Sequence, residues 1–371
     1  MTSSTNATSP PVAADPAPET AANPLAELDT LRFAPTARVL RRSAHEIQIE
    51  RGGDAVIVSN LPAFVVSMLQ RYGEHPHLPT FRGHASADDE PGPDATEIGR
   101  VLRSLTHAGY LVRSGSEPLS VSGGSARTAA LEPDLAVLDE RFGARARSIL
   151  DNRFNRSVRV HGTGRLASTV AAILAASGVG RVQVPDSADV RLGDALPGGL
   201  RPGDEGERTA LAAAEAVRRA RAGPERPAPP GEPVDLILST DGYPIDPHLR
   251  VDLQVQPHPL LVAGVWGPRG VVGPLVVPGR TSCLHCADLH RSDRDPAWPV
   301  LSAQLAGSPR APVPSEVAVC ALTAAITAIQ ALSFLDGERP ATADGTLEIT
   351  LPDWRVRRRH WSRHSDCGCA R

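Results

Sequence analysis

Residues 157–186 read SVRVHGTGRLASTVAAILAASGVGRVQVPD, and no other stretch limits the fold of this chain as strongly. An apolar run breaks at a glycine turn, passes into an alanine-rich helical segment, and resumes as a second apolar run ending at Asp186. Strand, turn, helix and strand in that order form the opening unit of an α/β sheet. Gly162, Gly164 and Ala167 give G-x-G-x-x-A, with the acidic residue roughly twenty positions on, the spacing of dinucleotide-binding sheets. Two uses fit the motif. The turn can seat a nucleotide phosphate at the helix N-terminus, or its glycines can serve helix–sheet packing alone.

The rest of the C-terminal half continues that pattern. Residues 193–232 are broken by Gly and Pro around one helix, TALAAAEAVRRARA. VDLILST then leads to Asp241, and LLVAGVWGPRGVVGPLVVPG supplies further strands. SEVAVCALTAAITAIQALSFLDG reads as a long apolar helix stopped by Gly337, and LEITLPDWRVRRRHW adds late strands before HSDCGCAR.

The N-terminal part follows a different rule. Residues 1–28 are Ser, Thr, Ala and Pro with few large apolar groups, and read as a disordered tail. They have no basic segment followed by an apolar one, so they read as such a tail rather than as a signal peptide. ARVLRR, EIQIE and DAVIVS are three short strands, the last two linked through Gly52-Gly53 as a hairpin. NLPAFVVSMLQRYG is a helix with Asn60 as N-cap and Gly73 as its end. A second helix opens at Asp94 with Glu97 in capping-box spacing, presents Ile98, Val101, Leu102 and Leu105 on one face, and stops at Gly109 before a closing strand, YLV. These elements, residues 29–115, amount to a small winged-helix-like α+β module. Residues 116–150 are a linker and helix, and 151–371 form the α/β domain.

The five cysteines sit in the last third of the chain, four of them in two close pairs. Cys283 and Cys286 are spaced C-x-x-C; Cys367 and Cys369 are spaced C-x-C. Zinc takes four tetrahedral ligands, which two short loops of thiolates supply, whereas a redox motif needs one pair only. The expectation is a closed structural zinc site on these four residues, with His285, His360 or His364 able to replace one ligand. Cys320, amid apolar neighbours, reads as a buried inert thiol rather than a thioester-forming nucleophile. The run HRSDRDPAWP after Cys286 reads either as an interaction loop (Asp288, His290, Arg291, Asp293, Arg294, with Trp298 as anchor) or as an internally paired crossover.

Composition removes several functions. All 39 basic residues are arginine, so a Schiff-base lysine or a Walker-type lysine is excluded. A net charge of -3 provides no general attraction to nucleic acid or anionic membrane. The chain reads as cytoplasmic, without a run of about 18 apolar residues to span a bilayer.

In order, the glycine motif, Asp186, Asp241, the stretch PGRTSCLHC, the long apolar helix and the terminal cysteine pair resemble the ThiF/MoeB-type adenylyltransferase fold, a Rossmann-like domain with structural zinc, over roughly residues 151–371. The small module is similar to the PqqD-like peptide-recognition domain. Together they resemble the ThiF-like, leader-peptide-binding partner of YcaO-type cyclodehydratases in azoline-forming, bacteriocin-like peptide biosynthesis. That resemblance implies a precursor leader peptide and a YcaO-type enzyme as partners, a homodimer as a compatible state, and no nucleic acid. It implies a nucleotide site at Gly162, Gly164, Ala167, Asp186 and Asp241, and a peptide site near Val56, Ile57, Val58, Arg103 and His107, where an extended peptide adds to the sheet edge. The family pattern, however, requires an Asn-x-x-Arg-Gln segment and a lysine. Here Asp194, Pro197 and Gly198 stand at the first, and Thr209 at the second. The nucleotide site therefore reads as vestigial: no catalytic residues, no independent activity, and no ATP expected. The alternatives are an active ThiF-type adenylyltransferase acting on a carrier-protein C-terminus, and a winged-helix DNA-binding regulator.

Overall fold

The computed structural model describes residues 31–34, 36–51, 54–74, 95–113, 121–162, 164–186, 188–227, 233–307, 314–350, 352 and 355–370. The tail at 1–28, the Gly52-Gly53 link and the Asp94 cap lie outside the described residues. The chain forms two compact units, Met1–Pro118 and Leu119–Arg371.

The first unit contains β1 (Leu31–Phe33), β2 (Arg38–Arg41), β3 (Ile47–Arg51), β4 (Asp54–Val58), α1 (Ala63–Glu74), α2 (Ala95–His107) and β5 (Leu111–Arg113). Strands β2, β3 and β4 form an antiparallel sheet in that order, with Arg51 opposite Asp54, and β1 pairs separately with β5. Alternation along β3 turns Ile47 and Ile49 onto one face, where they are fully buried with Val65, Val66 and Leu69 of α1 and Leu102 and Leu105 of α2. Helix α1 starts two residues later than an Asn60 cap would place it. Asn60 takes a left-handed φ of 62°, and Pro62 accepts the first helical bond from the Val66 N–H at 3.1 Å. Asn60 is thus a turn residue, where its short polar side chain tolerates that conformation. At the other end of the unit, α2 closes as its glycine requires. Gly109, with φ 78°, donates to Thr106, and Tyr110 donates to Leu105, the paired bonds of a Schellman cap.

The second unit opens with α3 (Ser125–Ala130), α4 (Glu132–Phe142) and α5 (Ala146–Phe154). It then runs β6 (Ser157–His161), α6 (Arg165–Ala176), β7 (Arg181–Gln183), α7 (Thr209–Ala220), β8 (Leu236–Ser239) and α8 (Pro247–Val255). After β9 (Leu260–Trp266) and β10 (Arg269–Val276) come α9 (Leu284–Ser292), α10 (Trp298–Gly307), α11 (Val317–Leu335), β11 (Gly345–Thr350) and β12 (Val356–His360). The seven strands form one sheet in the order β12-β11-β10-β9-β8-β6-β7. Strands β7, β6, β8 and β9 are parallel, and β10, β11 and β12 extend the sheet antiparallel. The order reverses direction around β6, so the crevice beyond the carboxyl ends of β6 and β8 is the switch point of the sheet.

Both faces of the parallel half are covered, which explains its unbroken apolar runs. Val158, Val160, Leu236 and Leu238 pack with Val170 and Leu174 of α6 and Ala324, Ala328 and Ala331 of α11. On the other face Ile237, Leu260 and Val262 pack with Ile245 and Leu249. Helix α11 corrects one sequence expectation. Its 19 residues carry no charge and are long and apolar enough, by length and composition, to cross a membrane. Thr323, Thr327 and Gln330 interrupt the apolar run, but they are buried. Thr323 and Thr327 donate back to the carbonyls of Val319 and Thr323 at 2.7 Å, so these polar residues serve an inner face.

Two buried arginines tie the leading helices to the sheet domain. Arg127, 1% exposed, donates to the carbonyls of Ser122, Leu150 and Gly178 and lies 4.9 Å from the centre of the Phe154 ring. Arg153 on α5 meets Asp336, just beyond α11, through two bonds of 2.8 and 2.6 Å. Neither could be seen in the sequence, because each joins segments whose separation carries no periodic signal.

Candidate metal centre and nucleotide turn

Cys283 caps α9 and Cys286 lies in its first turn, while Cys367 precedes a short 3-10 turn at Gly368–Ala370 and Cys369 lies within it. Local bonds aim both segments. Thr281 accepts from the Val277 N–H and donates to the Leu275 carbonyl, folding the chain back after β10. Asp344 then accepts from the Ser282 N–H at 2.6 Å while its carbonyl takes the Trp361 N–H at 2.9 Å, joining both approaches to one residue. The sulfurs of Cys283 and Cys286 are 3.8 Å apart, those of Cys283 and Cys367 3.5 Å, and those of Cys286 and Cys369 3.4 Å. A tetrahedron with zinc–sulfur bonds of about 2.3 Å has edges of about 3.8 Å, so the cluster is close to the geometry zinc needs. Burial opposes ionisation of Cys286, but the His364 backbone N–H and the neighbouring sulfurs outweigh it and bring its thiol down to about 7, while burial, with the sulfurs around them, pushes the Cys283 and Cys369 thiols up. The four cysteines thus suit a structural zinc site, and the tighter C-x-C spacing is no obstacle because the 3-10 turn points both thiols inward.

A second group, His290, Asp293 and His364, also has its polar atoms within 4.8 Å. Its hydrogen bonds argue against a metal. His364 Nδ1 accepts from the Asp366 N–H at 3.1 Å, so the ring proton sits on Nε2 and is donated to Asp293 at 2.9 Å. A metal on Nε2 would need the opposite tautomer and would set two N–H groups against each other. His290 meets the Ser362 carbonyl at 2.9 Å through Nε2. The group clips α9 to the C-terminal segment beside the cysteines.

The run HRSDRDPAWP is internally paired. Asp288 accepts from the Tyr243 hydroxyl, from Trp298 Nε1 at 3.0 Å and from Arg250 at 2.9 Å. Burial, then the Asp288 charge, pushes the Tyr243 hydroxyl far above its ordinary value, so it remains a donor. The Arg291 guanidinium lies 4.2 Å from the Tyr243 ring centre, 4.9 Å from that of Trp361 and 5.2 Å from that of Trp298. Sequence reasoning singled out Asp288, Arg291 and Trp298 but missed Tyr243, Arg250 and Trp361. No local spacing links those three residues to the run.

The glycine turn lies at the switch point. Gly162 has φ 138°, and a β-carbon there would collide with Thr240 and lie 3.1 Å from Asp241 Oδ1. The turn therefore approaches the end of β8 more closely than any other residue allows. Gly164 caps α6 with φ 77°, and a β-carbon on it would sit 3.5 Å from Asp194 Oδ1. A carboxylate thus faces the helix N-terminus, where a phosphate would bind. Arg165, the adjacent cation, donates to the carbonyls of Gly193 at 2.6 Å and Ser315 at 2.7 Å. His161 precedes the turn, and burial, with Arg159 next, lowers its pKa and keeps the ring uncharged. Ala167 is packed inside α6. Asp186 accepts from the Ala188 N–H, and its buried Oδ2 has no partner among the described residues, so a sugar hydroxyl could be received there. The residues fit the sugar end of a nucleotide and not its triphosphate.

In the first unit, β4 forms one edge of its sheet, with Val56 and Ile57 exposed at 36% and 51% and Val58 turned toward the core. Arg103 and His107, four residues apart on α2, are both exposed and share a helix face.

No family model matches the chain, and no curated protein matches it. Solved structures do. The microcin C7 biosynthetic enzyme MccB in complex with N-formylated MccA has 16% identity and a TM-score of 0.60, covering 92% of this chain and 99% of that one. E. coli MccB with ATP has 17% identity and a TM-score of 0.59, covering 91% and 99%. PaaA has 15% identity and a TM-score of 0.56, covering 71% and 92%. The chain thus has the ThiF/MccB-like, E1-type fold over most of its length.

Proposed function

We propose that this chain is a cytoplasmic, non-catalytic peptide-capturing protein of the E1-type fold. Its first unit holds the leader of a precursor peptide, and its second unit docks the YcaO-type enzyme that modifies that peptide. The observation that carries this reading is the Asp194 carboxylate at the N-terminus of α6. Its charge repels a phosphate, and Arg165 beside it keeps its positive charge but has N–H groups held by two carbonyls. MccB has been solved with ATP and with MccA. Of that pair of properties, the exposed edge of β4 supports peptide capture, while the turn opposes nucleotide binding. Strand addition to β4 would supply backbone hydrogen bonds, with Val56, Ile57, Arg103 and His107 contributing side-chain contacts, while Val58, packed against the core, would contribute its backbone alone.

The second reading, an active adenylyltransferase, draws on Asp241, which stands against Gly162 at the switch point as a metal-holding acid would. Equilibrium titration of the full chain with magnesium–ATP and with a labelled leader peptide encoded near its gene separates the two. Peptide binding without saturable ATP binding is the expected result. Micromolar ATP affinity would transfer the case to the enzyme.

A further inference from the structure

The C-terminal edge of the large sheet carries a charge pattern that neither reading above uses. Strand β12 reads VRRRH, with Arg355 before it and Arg363 just after it, and every residue from Val356 to His360 is exposed. It pairs with β11 on one side, and the strand order places it at the end of the sheet. Glu348 is shared between Arg359 at 3.0 Å and Arg269 at 2.6 Å, so one acid serves two cations. Arg358 donates to the carbonyls of Ala341 and Ala343, and Arg363 to that of Gly279, neutral partners, and neither is paired with an acid among the described residues. In a chain of net charge -3, this edge is a local excess of positive charge.

We propose that β12 docks an acidic, extended segment of a partner protein, which adds to the large sheet as a further strand. Two features select that occupant. Successive side chains of a strand point to opposite faces, so Arg358 lies on one face and Arg357 and Arg359 on the other. A nucleic-acid backbone tracks one face, whereas an added strand meets both. The outer backbone of an edge strand also presents hydrogen-bonding groups that only another polypeptide backbone can match in register. A second copy of this chain is disfavoured, because β12 against β12 would oppose arginine to arginine.

The test uses the full chain and a fluorescein-labelled peptide of alternating Glu and Val, compared with the same peptide N-methylated at every second residue. The proposal expects the first peptide to bind and the second to bind at least about tenfold more weakly, because strand addition needs the backbone donors. An Arg358→Glu variant should lose a similar factor while retaining its zinc content. Amide exchange in the unaltered chain locates the contact: slowing is expected at residues 356–360. Equal affinity for the two peptides, slowing confined to residues 54–58, or tighter binding of a short DNA duplex than of the peptide would each overturn the proposal.

Discussion

Asp293 and His364 lie 71 residues apart in the chain and meet at 2.9 Å, carboxylate Oδ2 to imidazole Nε2. Asp293 follows the helix that bears Cys283 and Cys286, and His364 precedes Cys367 and Cys369. The bond therefore joins the two halves of the cysteine cluster beside the cluster itself. Because the His364 backbone N–H also reaches Cys286, this one residue positions a neighbouring segment and polarises a ligand.

The first prediction concerns the metal. Purified protein should contain one zinc per chain, and cobalt substitution should give the absorption of a tetrahedral thiolate site. Removing the last five residues, which takes away Cys367 and Cys369, should abolish the metal and unfold the β11–β12 edge, since binding and folding are coupled there. Elemental analysis of the intact chain that finds no metal would refute the assignment. Asp293→Ala should retain zinc but lose it to a chelator several times faster, because the bond that joins the two cysteine-bearing segments is gone.

The protein should not catalyse carboxylate-dependent ATP–pyrophosphate exchange. Asp194 faces the glycine turn, and there is no lysine anywhere in the chain. Exchange that disappears in Asp241→Ala would establish the adenylyltransferase instead.

Asp336→Ala should destabilise the second unit by about 3–5 kcal/mol, because it strands a buried guanidinium. The side chains of Arg153 and Asp336 are 6% and 2% exposed. Replacing both with apolar residues should recover much of that loss. Chemical denaturation of the single and double variants measures the difference.

Acid should weaken the second unit through His161. Its folded pKa lies below the ordinary value of 6.5, so the unfolded chain binds the proton more readily. The stabilisation is fully present above about 6.5 and is lost as pH falls through the lower folded value. His161→Gln should flatten this part of the stability curve, measured by denaturant midpoints between pH 7 and pH 5. An unchanged slope would mean that His161 is not the group responsible.

Leader-peptide binding to the full chain should change little with moderate salt, because strand pairing and apolar contacts carry it. Ile57→Glu should weaken it, and a DNA duplex should not bind at the first unit. Counterion release makes DNA binding fall steeply as salt rises. A salt-sensitive duplex signal without a peptide signal would favour the DNA-binding regulator.

What the sequence determined by itself was local. Alternation along Ile47–Arg51, the glycine cap at Gly109, and the strand–turn–helix around Gly162 each depend on neighbours within a turn or two, and the structure forms all three. The paired spacing of the cysteines also carried through, because a four-thiolate site needs only two short segments brought together. Tertiary structure decided the rest. Asn60 left its expected cap position because the chain turns sharply into Pro62 before α1 begins. The buried pair Arg153–Asp336 and the Arg291 stack depend on helices and strands meeting across the fold, and charges or rings in separate segments have no common period to reveal them. The glycine motif shows the same division. Its spacing identified the turn, but the charged groups beside it, the Asp194 carboxylate and the Arg165 guanidinium, are positioned by the folding of residues 191–194 and Ser315 against α6.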